Sequence, residues 1–143
     1  MTEKDKRLLA RIDLLKLSNI NNQLNHLYQR YEEIYSTLLG SGIDYSKDRV
    51  QTTPINTLEA TFCDRLCELE EHIDKLINDK KLYLSYIYKL EDDRECDILI
   101  ERYAHNKSIR RIAEEQKQTK STMHRLEEKA LISYYNTNCS IFL

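Results

Sequence analysis

The sequence predicts an all-α protein in which a long N-terminal helical hairpin or coiled coil precedes a C-terminal helix-turn-helix. Only two Gly and one Pro occur among 143 residues, and so few chain breakers favour long helices with few turns. Apolar residues recur at steps of three and four along most of the chain, which is the period of an amphipathic helix. Near the C-terminus, two short segments with this period flank a polar turn, as in a helix-turn-helix.

The predicted organisation has two domains. Residues 1–90 form a helical part for oligomerisation or interaction, with a linker at about 40–54, and residues 91–143 form a DNA-binding domain with a C-terminal tail. In the first arm, which covers residues 4–39, a shifted register is occupied by Leu8, Ile12 and Leu15. The polar stretch at residues 18–22 indicates either a stutter or a weak point. The main apolar positions of this arm are Leu17, Ile20, Leu24, Leu27, Tyr31, Ile34 and Leu38.

The second arm begins at Thr53-Pro54, because a capping hydroxyl followed by proline is typical of a helix start. It forms with the first arm either an antiparallel hairpin or coiled-coil arms that pair between chains, so we expect a dimer or higher homo-oligomer. Lys80 either fixes register or strand number, or extends its ammonium out of the seam to water. The predicted seam residues are Leu66, Leu69, Ile73, Leu76, Lys80, Tyr83 and Ile87.

Residues 108–131 carry the strongest functional signal. Ser108 and Thr119 each precede an amphipathic segment and offer a hydroxyl that can cap a helix. The second helix can enter a DNA major groove while its back stays on a core. The predicted inner faces are Ile109, Ile112 and Ala113 in the first helix and Met123, Leu126 and Ala130 in the second.

The outer surface of these helices predicts contacts with double-stranded DNA. Residues 107–129 contain seven Lys/Arg against four Glu, a local net charge of +3 in a chain of net charge −2. Arg125 suits a guanine edge, whereas Arg110 and Arg111 suit phosphates. The predicted DNA-binding residues are Lys120, Ser121, Thr122, His124, Arg125, Arg110, Arg111 and Thr119.

Other features argue against an enzyme, a metal site and a membrane protein. There is no Gly-rich phosphate loop and no nucleophile paired with a base, so we expect neither catalysis nor a cofactor. Cys63, Cys67 and His72 lack the second close pair of a zinc site, and the cysteines flank the seam, so we expect buried thiols and no metal. Without an apolar leader or a run of about 18 apolar residues, a cytoplasmic protein with reduced thiols is expected. The apolar tail after Tyr135 docks either on the core or on a partner.

Four stretches resemble region 4 of primary sigma factors: residues 97–103, Ile112-Ala113-Glu114, residues 121–125 and Lys129-Ala130-Leu131. The fuller similarity is to phage-encoded transcriptional regulators of the ArpU and RinA type. These combine a coiled-coil N-terminal part, a linker similar to residues 49–54, and a sigma-like helix-turn-helix. The resemblance covers roughly residues 40–135 and implies control of late or packaging-related phage genes in a bacterial host. In such a regulator, the coiled-coil part either sets the oligomeric state or contacts RNA polymerase.

The chain departs from the family pattern in the turn of the helix-turn-helix. The family has a glycine between two apolar residues, whereas this chain has Gln116, Lys117 and Gln118. Without glycine, one of the turn residues has to adopt a left-handed conformation at an energetic cost.

These sequence features are compatible with three functions. A sequence-specific transcriptional regulator, most simply an activator, is favoured. A DNA-packaging protein similar to phage terminase small subunits also combines a helix-turn-helix with helical oligomerisation segments, but those proteins place the DNA-binding unit first. The third function is a helical adaptor that binds polymerase or a sigma factor without touching DNA.

Overall fold

The computed structural model describes residues 2–40 and 53–142, with only the backbone described for Gly40 and residues 53–57. It confirms the all-α class, because the described residues form helices and turns and contain no strand. Residues 41–52 of the predicted linker lie outside the described residues. No helix in the described ranges is both long enough and apolar enough to cross a bilayer. The elements are α1 (Glu3–Gly40), α2 (Thr53–Tyr88), α3 (Asp93–Leu99), a π-helical turn (Ile100–Ala104), α4 (Ile109–Gln116), α5 (Lys120–Thr137) and a 3₁₀ turn (Cys139–Phe142).

The contacts of the chain define two compact units. The helix-turn-helix unit comprises Met1–Asn22 and Asn78–Leu143, and the two-helix unit comprises Gln23–Ile77. Both long helices contribute to both units, so this division differs from the predicted boundary at residue 90. The difference arises because Leu14 of α1 and Ile87 of α2 belong to the same buried cluster as residues of α3, α4 and α5.

In the two-helix unit, α1 and α2 each bury one apolar stripe. The Tyr31 hydroxyl of α1 donates a hydrogen bond to Glu70 Oε1 of α2 at 2.9 Å, and this bond raises the pKa of Tyr31. Four predicted seam residues are therefore buried within a single chain. The buried residues of this unit are Leu24 and Leu27 from α1 and Leu66, Leu69, Ile73 and Leu76 from α2, which are 4–9% exposed.

The other predicted seam residues lie in the helix-turn-helix unit. Ile87 is fully buried, Tyr83 is half-buried, and Lys80 is partly buried. The Lys80 ammonium donates to Asn21 Oδ1 at 3.4 Å, so α1 supplies a polar partner inside the seam. The α2 seam residues are therefore buried or partly buried within one chain, as the antiparallel-hairpin alternative predicts, and their pairing between chains stays a prediction.

The predicted register of the first turns of α1 is wrong. Leu8, Ile12 and Leu15 are 54%, 49% and 47% exposed, whereas Ala10 and Leu14 are fully buried. The later seam of α1 continues backward through Leu14 and Ala10, and α1 stays helical through residues 18–22 without a break. Both stripes have helical spacing. Only packing against the rest of the unit determines that the stripe containing Ala10 and Leu14 is the buried one.

The C-terminal tail docks on the core of its own chain, which decides an alternative that the sequence leaves open. Asn138 is 3% exposed and donates its amide to the Tyr86 carbonyl at 3.1 Å. Phe142 stacks on Tyr135 with ring centroids 4.9 Å apart, and it contacts Tyr134 edge to face. The tail thereby covers one end of the core beneath α5.

Candidate nucleic-acid interface

Two hydroxyl groups start the two helices of the candidate interface, as the sequence predicts. Ser108 Oγ accepts a hydrogen bond from the Arg111 N–H, and Thr119 Oγ1 accepts one from the Thr122 N–H, both at 3.2 Å. Each bond satisfies one of the free N–H groups in a first helical turn. The caps fix where α4 and α5 begin, so the connection between the helices is limited to Lys117, Gln118 and Thr119.

The turn contains a non-glycine residue in the left-handed conformation, as expected for a turn of this type that lacks glycine. Lys117 has φ 56° and ψ 39°. The Gln118 N–H donates to the Ala113 carbonyl at 3.0 Å, and the Lys117 N–H donates to the Glu114 carbonyl at 3.3 Å, which is the hydrogen-bond pattern of a Schellman motif. A lysine in this conformation costs free energy that a glycine does not. The turn therefore connects α4 to α5 through a left-handed lysine at an energetic cost.

The inner faces of both helices are buried as predicted. Ile112 is 1% exposed and Met123 is fully buried, while Leu126 is half-buried at the edge of the cluster. Packing of α4 and α3 against α5 holds the back of α5 on the core. Arg125 lies two residues after Met123, about 200° around a helix of 3.6 residues per turn, so it projects from the opposite side.

The exposed beginning of α5 carries polar side chains without partners. Lys120, Ser121, His124 and Arg125 are all exposed, and in the described part of the chain they make no side-chain hydrogen bond or ion pair. Thr119 and Thr122 are also exposed, but their hydroxyl groups bond to each other at 2.7 Å. We call the four unpaired residues the α5 outer set: Lys120, Ser121, His124 and Arg125. Of the predicted DNA-binding residues on α5, these have side chains that are free to donate hydrogen bonds.

The two predicted phosphate-binding arginines of α4 are differently placed. Arg110 pairs with Glu114 at 3.4 Å and Arg111 pairs with Glu115 at 3.2 Å, both across one turn of an exposed helix face. Such pairs are weak in water, so the arginines can exchange their carboxylates for phosphates, although their charge is locally balanced. The Lys107 ammonium lies between Glu101 and Glu115, which raise the pKa of Lys107, and Lys107 in turn lowers the pKa of Glu115.

A buried carboxylate on the inner face of α5 bonds this helix to the rest of the unit, and it is not among the residues predicted from the sequence. Glu127 is 3% exposed, and its Oε1 accepts a hydrogen bond from the Tyr103 hydroxyl at 2.9 Å. Burial, and then the Glu127 charge, raise the pKa of Tyr103 to about 12. Two guanidinium groups, of Arg11 and Arg102, lie 3.9 and 3.7 Å from the same oxygen. The available signal was the position of Glu127, four residues after Met123 on the inner face of α5.

A second, partly buried hydrogen bond joins the far end of α5 to α1. The Tyr134 hydroxyl, on a fully buried side chain, donates to Asp13 Oδ2 at 2.7 Å. Burial and this bond both raise the pKa of Tyr134. Since the two residues are 121 positions apart in the chain, no local sequence pattern indicates the pair. The two bonds fix the orientation of α5 and hence the direction of its outer set.

The two units carry net charges of opposite sign. The helix-turn-helix unit contains 17 Lys/Arg and 14 Asp/Glu, a net charge of +3, while the two-helix unit contains 5 and 10, a net charge of −5. Several acids of the first unit are already paired with its own cations, among them Glu114, Glu115 and Glu127. The positive excess therefore remains on exposed side chains such as Lys120 and Arg125.

The expectation of buried thiols is wrong for Cys63 and Cys67, which are both exposed. They lie beside the seam positions rather than on them, so α1 does not cover them. Cys96 is the buried cysteine; its Sγ lies 3.3 Å from the Ile87 carbonyl, and burial raises the pKa of its thiol. Within the described ranges, no group of three or more His, Cys, Asp or Glu side chains is arranged to hold a metal ion.

No family model, curated protein or solved structure matches this chain. The main indication of a function is the α5 outer set, which lies on a helix whose inner face is held by the bonds of Glu127 and Tyr134.

Proposed function

We propose that this protein is a sequence-specific DNA-binding transcriptional regulator that places α5 in the major groove of double-stranded DNA. One observation carries the proposal: the α5 outer set is exposed and unpaired in the described structure, on a helix whose opposite face is buried. Helix-turn-helix proteins read bases with the first turns of their second helix.

The residues of the interface have separate roles in this proposal. Arg125 donates two hydrogen bonds to the O6 and N7 atoms of a guanine, while Lys120 and His124 contact neighbouring base edges or phosphates. Arg110 and Arg111 exchange their ion pairs with Glu114 and Glu115 for backbone phosphates and thereby position the unit. The buried Glu127 network matters because base recognition requires a fixed helix orientation.

The biological setting of the proposal comes from the resemblance to phage regulators of the ArpU and RinA type. It comprises activation of late phage genes in the cytoplasm of a bacterial host, with RNA polymerase as a protein partner. Sequence-specific helix-turn-helix proteins commonly bind as dimers. We therefore propose a homo-oligomer, a dimer or higher.

Titrations of host and phage DNA fragments, followed by footprinting, test the proposal. We expect Arg125→Ala to lose about 1–3 kcal/mol of binding free energy for the preferred site and to relax base preference at one position. Arg111→Ala should weaken binding to all sequences alike and lower the slope of log affinity against log salt by about one. Lys75→Ala removes one exposed positive charge from the two-helix unit and is the matched control.

The footprint also separates the competing functions. A promoter footprint supports the regulator, whereas a footprint at a packaging site favours the terminase-like alternative. The second candidate function is the helical adaptor, because Glu114 and Glu115 neutralise the charges of Arg110 and Arg111. The adaptor is the correct function if the wild-type protein binds no DNA at low salt. Equal loss of affinity for specific and random DNA in Arg125→Ala contradicts base recognition by this residue.

A further inference from the structure

A polar cavity of about 300 Å³ lies in the helix-turn-helix unit, next to the buried Glu127 network. The π-helical turn supplies one wall through Arg102 and Tyr103, and π-helical turns, which are rare, frequently occur at functional sites. None of these residues belongs to the α5 outer set, so the cavity is separate from the proposed base-reading surface. Its polar lining consists of Arg11, Ser18 and Asn22 from α1, and Arg102, Tyr103 and Asn106 from the opposite side.

The cavity has an excess of positive charge. The guanidinium groups of Arg11 and Arg102 share a single carboxylate oxygen, Glu127 Oε1, at 3.9 and 3.7 Å. Both distances exceed that of a normal hydrogen bond, and the same oxygen already accepts the Tyr103 hydroxyl at 2.9 Å. Arg102 Nη1 also donates to the Lys107 carbonyl at 3.1 Å, but neither arginine has the two-pronged carboxylate pairing that its planar group favours. Both side chains remain accessible to solvent, at 47% and 37% exposure.

A chain of hydrogen bonds adds a donor at the rim of the cavity. The Ser18 hydroxyl donates to Asn106 Oδ1, and Asn106 Nδ2 donates to Asn22 Oδ1 at 3.0 Å. This series of hydrogen bonds ends at the Asn22 Nδ2 group, which has no acceptor among the described residues. Asn106 has φ 56°, a left-handed conformation that asparagine tolerates better than most residues. The free hydrogen-bonding capacity therefore consists mainly of donors around two cations.

We propose that this cavity binds a phosphate group, held by the guanidinium groups of Arg11 and Arg102 and by the Asn22 amide. The planar array of N–H groups on arginine matches two phosphate oxygens, and the surplus charge of the cavity compensates the anion. The phosphate belongs either to a small phosphate-bearing molecule or to the backbone of bound DNA. The site itself does not depend on the proposed DNA binding, because inorganic phosphate is sufficient to test it.

The test is an NMR titration of the ¹⁵N-labelled full chain with inorganic phosphate, compared with chloride at matched ionic strength. We expect saturable shifts of the Ser18, Asn22 and Asn106 amide signals with phosphate only. Arg11→Gln should weaken binding at least about tenfold, since it removes a charge-assisted hydrogen bond. Asn22→Asp keeps the oxygen that accepts from Asn106 but replaces the free donor with a negative charge, so it should weaken binding even if Arg11→Gln disturbs folding.

Asn19→Asp is the matched control, because it introduces the same charge at an exposed asparagine of the same helix outside the cavity lining. The proposal is overturned if phosphate causes no localised shifts, or if Asn22→Asp and Asn19→Asp bind phosphate equally well. Duplex DNA then identifies the source of the phosphate: displacement of bound phosphate assigns the site to the DNA backbone, and simultaneous binding assigns it to a small molecule. If the protein binds phosphate but no DNA, only the proposed function fails.

Discussion

The helix-turn-helix unit and the two-helix unit each contain parts of α1 and α2, but they bury their apolar residues to different degrees. In the first unit, 17 buried residues from all five helices and the π-helical turn form one cluster, and many are completely shielded from solvent. Among the described residues of the two-helix unit, six are buried, and each keeps 4–9% of its surface exposed. The first unit also contains a buried hydrogen bond from Tyr103 and a partly buried one from Tyr134.

The difference follows from the number of neighbours available to each helix. Two helices bury only the stripes that face each other, so every seam residue lies close to solvent on both sides. When α3, α4 and α5 pack on the same helices, the seam residues are enclosed and polar groups also find partners. A continuous heptad pattern therefore indicates where a helix is apolar, but not how stable each part of it is.

The largest expected effect is in the core of the helix-turn-helix unit. Leu14→Ala should lower the free energy of unfolding by about 3–5 kcal/mol, because it leaves a cavity under a fully buried side chain. Leu8→Ala, on the same helix but 54% exposed, should cost less than about 1 kcal/mol. Urea denaturation measures both, and equal losses would contradict the register of α1 described here.

In the two-helix unit, Leu69→Ala and Leu76→Ala should each cost about 2–4 kcal/mol, because the sites are slightly open and collapse more easily. Hydrogen exchange should show faster exchange within residues 23–77 and unchanged protection in α5. Glu71→Ala is the control, since Glu71 is exposed, whereas Glu70 accepts the Tyr31 hydrogen bond. Equal loss of protection in α5 would show that the two units unfold together.

Alkaline pH should destabilise the helix-turn-helix unit through Tyr103. Folding raises the pKa of this hydroxyl from 10.0 to about 12, so its contribution is fully present below pH 10 and is lost as the pH rises from 10 to 12. A difference of two pKa units corresponds to about 2–3 kcal/mol.

The stability difference between wild type and Tyr103→Phe, measured by urea denaturation from pH 8 to 12, should fall by about this amount. Tyr88→Phe, at a 65% exposed position, is the control. A constant difference for Tyr103→Phe across this range would mean that its hydroxyl is not held protonated by burial and Glu127.

The smallest effect concerns the turn within the helix-turn-helix unit. Lys117→Gly should raise the free energy of unfolding by about 1 kcal/mol, because glycine adopts the left-handed conformation without steric cost. Gln116→Gly, at the last helical position of α4, should instead lower it by about 0.5–1 kcal/mol. Thermal unfolding distinguishes the two, and a destabilised Lys117→Gly would mean that the lysine side chain contributes to the turn.

The sequence by itself determined the helices and the local geometry of the helix-turn-helix. Ser108 and Thr119 mark the helix starts, and the missing glycine predicts a left-handed residue, found at Lys117. The inner positions Ile112 and Met123 follow from spacing. These features depend on residues within about one helical turn of each other, so a short stretch of sequence contains all the information that specifies them.

Only the tertiary structure decided which apolar stripe of α1 is buried, where the compact units divide, and how α5 is held. Leu8 and Leu14 belong to stripes of equal periodicity, and only packing distinguishes them. The bonds from Tyr134 to Asp13 and from Asn106 to Asn22 join residues 121 and 84 positions apart. A periodic pattern specifies the face of a helix, but a buried polar pair depends on which distant segment folds against it.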